Sequence, residues 1–307
     1  MANTLRRDFL LGSLAAGVAA EGLAAPKAGA ADLPTRVLGK TGAQVTIIGL
    51  GGGRLPMLGE QEAIQVTRRA LEMGITFFDN ARGYGDGFSE TVYGKALGSN
   101  RKSIFLTTKT VQRSRAGAEA DLAASLKAYQ TDYVDLWQIH SIAKLEDLEQ
   151  IFAPGGAIEA FGAAKKAGKA RFIGFTGHHD PEVHARMLER YDFDTILMPL
   201  HCADPHYLSF QKRVLGRAAE KGMGIQAMKT LANAKLLQSL TVDQCMNYAL
   251  TLPIHTAVMG CTTVGQVDDT VRVAQAFQKL KPAEAEELAA RVKPIMGPDL
   301  EDWKRRT

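Results

Sequence analysis

Four ionisable side chains stand at the ends of short apolar runs, and their types suit one another. Asp79 closes the run 75–78 and leads into Ala81-Arg82-Gly83-Tyr84. Lys109 ends Phe105-Leu106-Thr107-Thr108-Lys109, and His140 ends Leu136-Trp137-Gln138-Ile139-His140. A phenol titrates at about 10 in water, too high for an efficient proton donor at neutral pH. A buried ammonium beside it favours the phenolate and lowers that value. A carboxylate paired with the ammonium keeps it charged and in place, and an imidazole can hold an oxygen in line with the phenol. Such a set protonates an oxyanion as it forms. No protein side chain supplies hydride, so a reduction at such a site needs a cofactor.

Taken singly, each residue has a plainer reading. A loop tyrosine is usually surface, a rim aspartate often caps a helix, a strand-end lysine is often solvated, and a lone histidine is often structural. What makes them a set is the framework that places them. From Arg36 the run Arg-Val-Leu-Gly39-Lys40-Thr41-Gly42-Ala-Gln-Val reads as a β-hairpin, with turn residues between β-prone runs. Residues 45–50 read as a continuous apolar strand ending in Gly51-Gly52-Gly53. Residues 61–73 place Ala63, Val66, Ala70 and Met73 at helical spacing, with Gly74 as the stop. The helix–Gly–strand cadence returns at Gly168 before 171–175 and at Gly222 before Gly224–Met228. Further apolar strands are expected at 104–107, 133–139, 195–198 and Thr256–Met259. Eight such strands, each followed by a helical segment, imply a parallel sheet closed into a (β/α)8 TIM barrel, here behind an N-terminal β-hairpin. Chemistry in that fold sits at the carboxyl ends of the strands, where Asp79, Tyr84, Lys109 and His140 all fall. Their convergence on consecutive strands marks a functional site.

Composition narrows the class. The 307 residues are 46% hydrophobic and 23% charged, which is ordinary for a globular chain. A formal charge of +4 without basic runs argues against a nucleic-acid partner. The three cysteines, Cys202, Cys245 and Cys261, form no metal or disulfide pattern. No apolar run approaches the roughly 20 residues of a stable membrane span. Residues 1–31 read differently from the rest: Arg6-Arg7-Asp8-Phe9-Leu10 precedes an apolar stretch and then Ala28-Gly29-Ala30-Ala31. That is the layout of a secretory leader, and the arginine pair resembles the twin-arginine class. The expectation is a signal peptide over 1–31, recognised by the twin-arginine export machinery, a periplasmic or exported location, and one domain over 32–307.

The run from Phe77 to Leu97, with Asp79 and Tyr84 inside it, resembles the signature of the aldo-keto reductases. Lys109 in Thr107-Thr108-Lys109 and His140 in Asp135-Leu136-Trp137-Gln138-Ile139-His140 stand where that family has the rest of its tetrad, and Gly49-Leu50-Gly51-Gly52 resembles its opening. The resemblance implies reduction of a small-molecule aldehyde or ketone by hydride from a nicotinamide, with Tyr84 as general acid, Lys109 lowering its pKa, Asp79 paired with Lys109, and His140 orienting the carbonyl. It implies cofactor contacts from Gly51, Gly52, Thr176, Met228, Lys229, Thr230, Leu231, Gly260, Cys261, Thr262, Gln266, Asp269 and Thr270. The chain departs from the commoner forms at Thr176-Gly177-His178-His179, Leu197 and Met228. Gln266 stands where arginine is frequent, so a 2′-phosphate lacks its usual guanidinium unless Lys229, Lys235 or Arg272 serves. NADP is the expected cofactor, with NAD possible.

Two other classes stay open on the sequence alone. His178, His179 and His201 follow the fifth and sixth strands and could hold a catalytic metal in a hydrolase, although the first and eighth strands end without ligands. The tetrad site itself calls for none. A cofactor-binding regulatory subunit could use the same fold, because fold does not fix function.

Overall fold

The computed structural model describes residues 32–305; the leader expected at 1–31 lies outside the described residues. Strands β1 (Thr35–Val37) and β2 (Gln44–Thr46) form the antiparallel hairpin, turned through Gly39–Thr41. Eight parallel strands then close a barrel: β3 (Ile48–Gly51), β4 (Phe77–Asp79), β5 (Phe105–Thr110), β6 (Val134–Ile139), β7 (Ala170–Thr176), β8 (Thr195–Pro199), β9 (Gly224–Met228) and β10 (Thr256–Met259). Closure runs through β10 against β3, in register from Ala257 opposite Ile48 to Met259 opposite Leu50.

The expected single strand at 45–50 is two strands. The chain bends at Ile47, where the Thr46 hydroxyl donates to the Ile48 carbonyl at 2.7 Å and the Thr46 N–H donates to the Thr76 hydroxyl at 3.1 Å. The residues before the bend pair with the hairpin and those after it join the barrel. An apolar run carries no mark of such a change of partner.

Period-2 alternation sorts each barrel strand between two environments. Phe77, Phe105 and Leu136 point inward and pack with Leu38 and Val45 of the hairpin region, sealing the amino-terminal end. The Phe77 and Phe105 rings stack with centroids 5.3 Å apart. Leu38 reaches the barrel because Gly224 has no side chain; a Cβ there would meet Leu38 Cγ at 2.7 Å. On the outer face Trp137 stacks on Phe161, centroids 3.8 Å apart. Phe161 belongs to α5 (Ala157–Lys166), one of ten α-helices among the described residues, and the expected helix at 61–73 is α1 (Glu60–Glu72). The other helices needed below are α2 (Phe88–Leu97) after β4, α6 (Pro181–Arg190) after β7, α8 (Val242–Thr251) after β9, and α9 (Val264–Gln275) after β10. α10 (Pro282–Val292) precedes the C-terminal segment. Among the described residues no helix is long and apolar enough to cross a membrane.

Candidate active site

Two residues above the aromatic floor, the same inward faces carry charge. On β5 the inward positions run Phe105, Thr107, Lys109, and on β4 they run Phe77, Asp79. Lys109 and Asp79 are almost wholly buried, and the ammonium donates to Asp79 Oδ2 at 2.6 Å and to the Asn80 carbonyl at 2.7 Å. Thr107 donates to the second carboxylate oxygen at 2.9 Å, so both oxygens of Asp79 are engaged. A buried carboxylate and ammonium are tolerable only when paired and hydrogen-bonded in this way.

Tyr84 arrives on the loop after β4. The Arg82 N–H donates to the Lys109 carbonyl at 3.0 Å, and the Arg82 guanidinium reaches the buried Glu90 of α2 at 2.8 Å. Glu90 also accepts from the Thr108 hydroxyl, on the outward face of β5, at 2.5 Å. These bonds tie the loop to the strand that bears the lysine. The Lys109 ammonium lies 5.3 Å from the Tyr84 ring centroid, and the His140 ring meets Tyr84 edge-on at 5.6 Å. His140 is fixed through its backbone: its N–H donates to the Thr110 carbonyl at 2.8 Å, and its carbonyl accepts from Arg113 at 2.9 Å. The four residues therefore meet at one end of the barrel.

The electrostatics differ in one respect from the sequence expectation. Burial pushes the Tyr84 phenol up, and the neighbouring charge of Lys109 pulls it down without cancelling that push; Asp79 adds to the rise. Tyr84 as a residue is half-buried, but its hydroxyl sits deep enough for desolvation to win. Burial also opposes the charge on Lys109, yet Asp79 overcomes it and holds the ammonium above its ordinary value. His140 is driven well below the histidine range by burial, then by Lys109, His178 and Arg113. At neutral pH the set is thus a protonated phenol, a charged lysine and a neutral imidazole.

The residues expected to hold a cofactor lie on the same rim. Gly51 ends β3 with Gly52 just after it, Thr176 ends β7, Met228 ends β9 with Lys229, Thr230 and Leu231 following, and Gly260, Cys261 and Thr262 follow β10, with Gln266, Asp269 and Thr270 on α9. A Cβ at Gly52 would meet Asn80 at 2.6 Å, and one at Gly53 would sit 3.4 Å from Tyr84 Cζ, so the glycines leave the phenol face open. Among the described residues no carboxylate pairs with Arg54 or Lys229, which both donate to Asn233 Oδ1 at 3.1 Å. A basic edge whose two cations have no carboxylate in salt-bridge contact, beside an open glycine cradle, fits an anionic cofactor. Cys261 and Thr270 are turned toward each other inside the protein, sulfur to hydroxyl 3.9 Å. Gln266 caps its own helix region by accepting from the Thr262 N–H at 2.7 Å. Arg272 is held by Asp243 of α8 at 3.0 Å, and Lys235 by Asp302 at 2.8 Å. Of the three cations that could have served a 2′-phosphate, only Lys229 lacks a carboxylate contact.

The histidines do not assemble as a metal site. His178 and His179 both turn Nδ1 to the Trp303 carbonyl, at 3.4 and 3.2 Å. His201 instead stands 3.1 Å from Glu301, in a buried trio with Asp204. The Lys304 ammonium already sits among those carboxylates, 2.8 Å from Asp204 and in contact with Glu301. The residues that sequence reasoning passed over are Thr107, Asn80 and Arg54. Thr107 shares the Lys109 strand face and was findable by alternation; the other two gave no local signal.

The profile of the Aldo/keto reductase family matches residues 47–289, and the chain belongs to that family. It is 32% identical over 191 residues to the aldo-keto reductase YhdN of Bacillus subtilis, covering 57% of this chain and 54% of that protein. It is 33% identical over 155 residues to the L-galactose dehydrogenase of Arabidopsis thaliana, covering 46% and 48%. The chain thus spans about half the length of these curated relatives. In fold it is similar to the holo form of AKR11C1 from Bacillus halodurans, with TM-score 0.73 at 24% identity over 85% of this chain and 96% of that one. A Klebsiella pneumoniae aldo-keto reductase solved with NADPH matches at TM-score 0.70 and 21% identity over 84% and 95%.

The balance of charges at the phenol can be measured. Replacing both members of the ion pair, as Lys109→Met with Asp79→Asn, avoids stranding one buried charge. The Lys109 pull on Tyr84 exceeds the Asp79 push. Ultraviolet titration of the double variant should therefore show the Tyr84 phenol ionising at higher pH than in the wild type. An unchanged or lowered midpoint would refute that ranking.

Proposed function

We propose that the protein is an NAD(P)H-dependent oxidoreductase that reduces aldehydes or ketones to alcohols, with Tyr84 as general acid. The observation that carries this reading is the buried Lys109–Asp79 pair set against Tyr84 and a neutral His140. Membership of the aldo/keto reductase family supports it, as does the NADPH bound to the Klebsiella neighbour. A bound reduced nicotinamide supplies the hydride. The protein's own residues handle the oxygen: neutral His140 donates a hydrogen bond to it and fixes the carbonyl in line with the phenol. Tyr84 gives its proton as negative charge grows there, and Lys109 stabilises the phenolate left behind until it regains a proton from solvent. Asp79 keeps Lys109 charged in a site where burial would otherwise neutralise it.

Tyr84→Phe keeps the ring and removes the proton. Turnover of aldehydes should fall by about 10² to 10⁴, as expected for lost general acid catalysis, with cofactor affinity almost unchanged. Near-normal turnover in this variant would remove Tyr84 from the acid role.

For the cofactor we favour NADP, with weak discrimination from NAD. Arg272 and Lys235 are engaged by carboxylates, and Gln266 offers no charge. NADPH should then bind better than NADH by no more than about tenfold, and Gln266→Arg should improve NADPH alone by roughly ten- to a hundredfold. Dissociation constants for both cofactors test this. A wild-type preference of several orders of magnitude would show that another cation serves the 2′-phosphate.

We also propose that residues 1–31 export the folded protein by the twin-arginine route, on the Arg6-Arg7-Asp8-Phe9-Leu10 run and the Ala28-Gly29-Ala30-Ala31 end of the segment. A nicotinamide dinucleotide is made in the cytoplasm, so the site is loaded there before passage. Loading also stabilises the folded state, by about 2.7 kcal/mol at a hundredfold excess over the dissociation constant. Arg6→Lys with Arg7→Lys should leave active, full-length protein in the cytoplasmic fraction. Wild-type protein recovered only there, with its start uncut, would overturn the export reading and leave the chemistry untouched.

A further inference from the structure

The register of the barrel fixes which side chains point into it, because residues paired across its strands share a face. Gly224 points inward, where a Cβ would meet Leu38 of the sealed floor. Gly224 pairs with Thr195, Thr195 with Gly174, and Gly174 with Gln138, whose partner on β5 is the inward Lys109. Two residues beyond Gly224 the next inward side chain is Gln226, and it pairs with Thr256. From the aromatic floor up to the Lys109–Asp79 pair, the interior is therefore lined from β6 round to β10 by Gln138, Thr195, Gln226 and Thr256, all 0% exposed. Both polar atoms of each amide and both hydroxyls, six atoms in all, are buried without a hydrogen-bond partner among the described residues. Gly174 and Gly49, which pairs with the inward Phe77, face the same space and add no side chain to it.

A folded interior rarely keeps such groups unpaired, and where protein does not pair them ordered water does. Water is the ligand these four residues fit, because amides and hydroxyls offer donors and acceptors together and carry no charge that would call for an ion. A seventh unpaired atom stands above them. His140 follows Gln138 by two residues on the same face of β6, and its Nδ1 is buried without a partner. We propose that the barrel interior beneath the tetrad is a water-binding site, and that a water held there by Gln138 donates to His140 Nδ1, so that Nε2 carries the ring's one proton toward the substrate oxygen. A neutral imidazole has a single N–H, and the partner of one nitrogen decides the state of the other. With Nδ1 closed in, Nε2 is the nitrogen left to meet the substrate, and it can donate only when Nδ1 is the bare acceptor. Gln138 is thus a positioning residue that acts through water and His140 and touches no reactant. Gln226, Thr195 and Thr256 supply the other partners that hold water in place. The effect on turnover rests on the reductase reading, whereas the water site does not.

High-resolution crystallography of the wild type should show ordered water within hydrogen-bond distance of both the Gln138 amide and His140 Nδ1. A dry interior, with the amides bonded to each other, would overturn the site. Nitrogen-15 NMR of protein labelled in histidine reads the ring in solution, with the His140 signals assigned by their loss in His140→Gln. At neutral pH the wild type should carry its proton on Nε2, and Gln138→Leu should move the Nδ1 resonance downfield, toward an imidazole nitrogen that accepts no hydrogen bond. A proton on Nδ1 in the wild type, or an unmoved Nδ1 in the variant, would refute the link to His140. With an aldehyde as substrate, Gln138→Leu should lower kcat/KM by about tenfold, as expected when an orienting imidazole loses its own support. If Nδ1 responds and turnover does not, the positioning role is refuted although the water is bound. A wild type that reduces no carbonyl, with water and resonances as stated, counts against the reductase reading and upholds the site. Should Gln138→Leu fail to fold, the crystal structure and the wild-type spectrum still decide, since neither needs that variant.

Discussion

The contact on which the site depends is the ion pair between Lys109 and Asp79, buried at the mouth of a closed barrel. Such a pair is expensive to bury and is held only when geometry and extra hydrogen bonds offset the lost hydration. Here Thr107 completes Asp79 and the Asn80 carbonyl completes Lys109, both from the same two strands. The barrel supplies the stiffness this requires. Strands in parallel register cannot slide by one residue without turning every charge outward into the helix layer. The aromatic floor of Phe77, Phe105 and Leu136, two residues below, keeps that register because its alternative is also exposure.

From this pair follows the state of the other two groups. The ammonium works against burial at Tyr84 and with it at His140, holding one group back from a steeper rise and driving the other down. A phenol left protonated at neutral pH is a donor in waiting, and a neutral imidazole can point an N–H at an oxygen without competing to be the acid. The division of labour comes from a single fixed charge acting on two different kinds of acid.

A second buried charge cluster stands across the rim, and it has a different character. The tetrad pair joins neighbouring strands within the barrel wall, whereas Lys304, Asp204 and Glu301 join the segment after α10 to the loop after β8. The first cannot open without unfolding the sheet. The second is backed by further contacts of the same segment, Arg305 with Asp180 at 2.6 Å and Lys235 with Asp302 at 2.8 Å.

The strand–helix cadence, the floor and the tetrad were legible along the chain because each is local. A strand's apolar run, the glycine that stops a helix, and the alternation that puts Thr107 and Lys109 on one face all act over a few residues. The bend at Ile47 was not legible, because an apolar strand looks the same whichever strand it pairs with. The three histidines read as possible metal ligands, since residue type shows what a side chain can do and not which neighbour satisfies it. The sequence by itself determined that eight parallel strands would close and that Asp79, Tyr84, Lys109 and His140 would share a rim. Only the tertiary structure decided that burial outweighs Lys109 at the phenol, that Arg272 and Lys235 are already engaged, and that His178 and His179 turn to the Trp303 carbonyl. Those outcomes depend on desolvation and on contacts between residues from 29 to 125 positions apart, and neither is written in any short stretch of sequence.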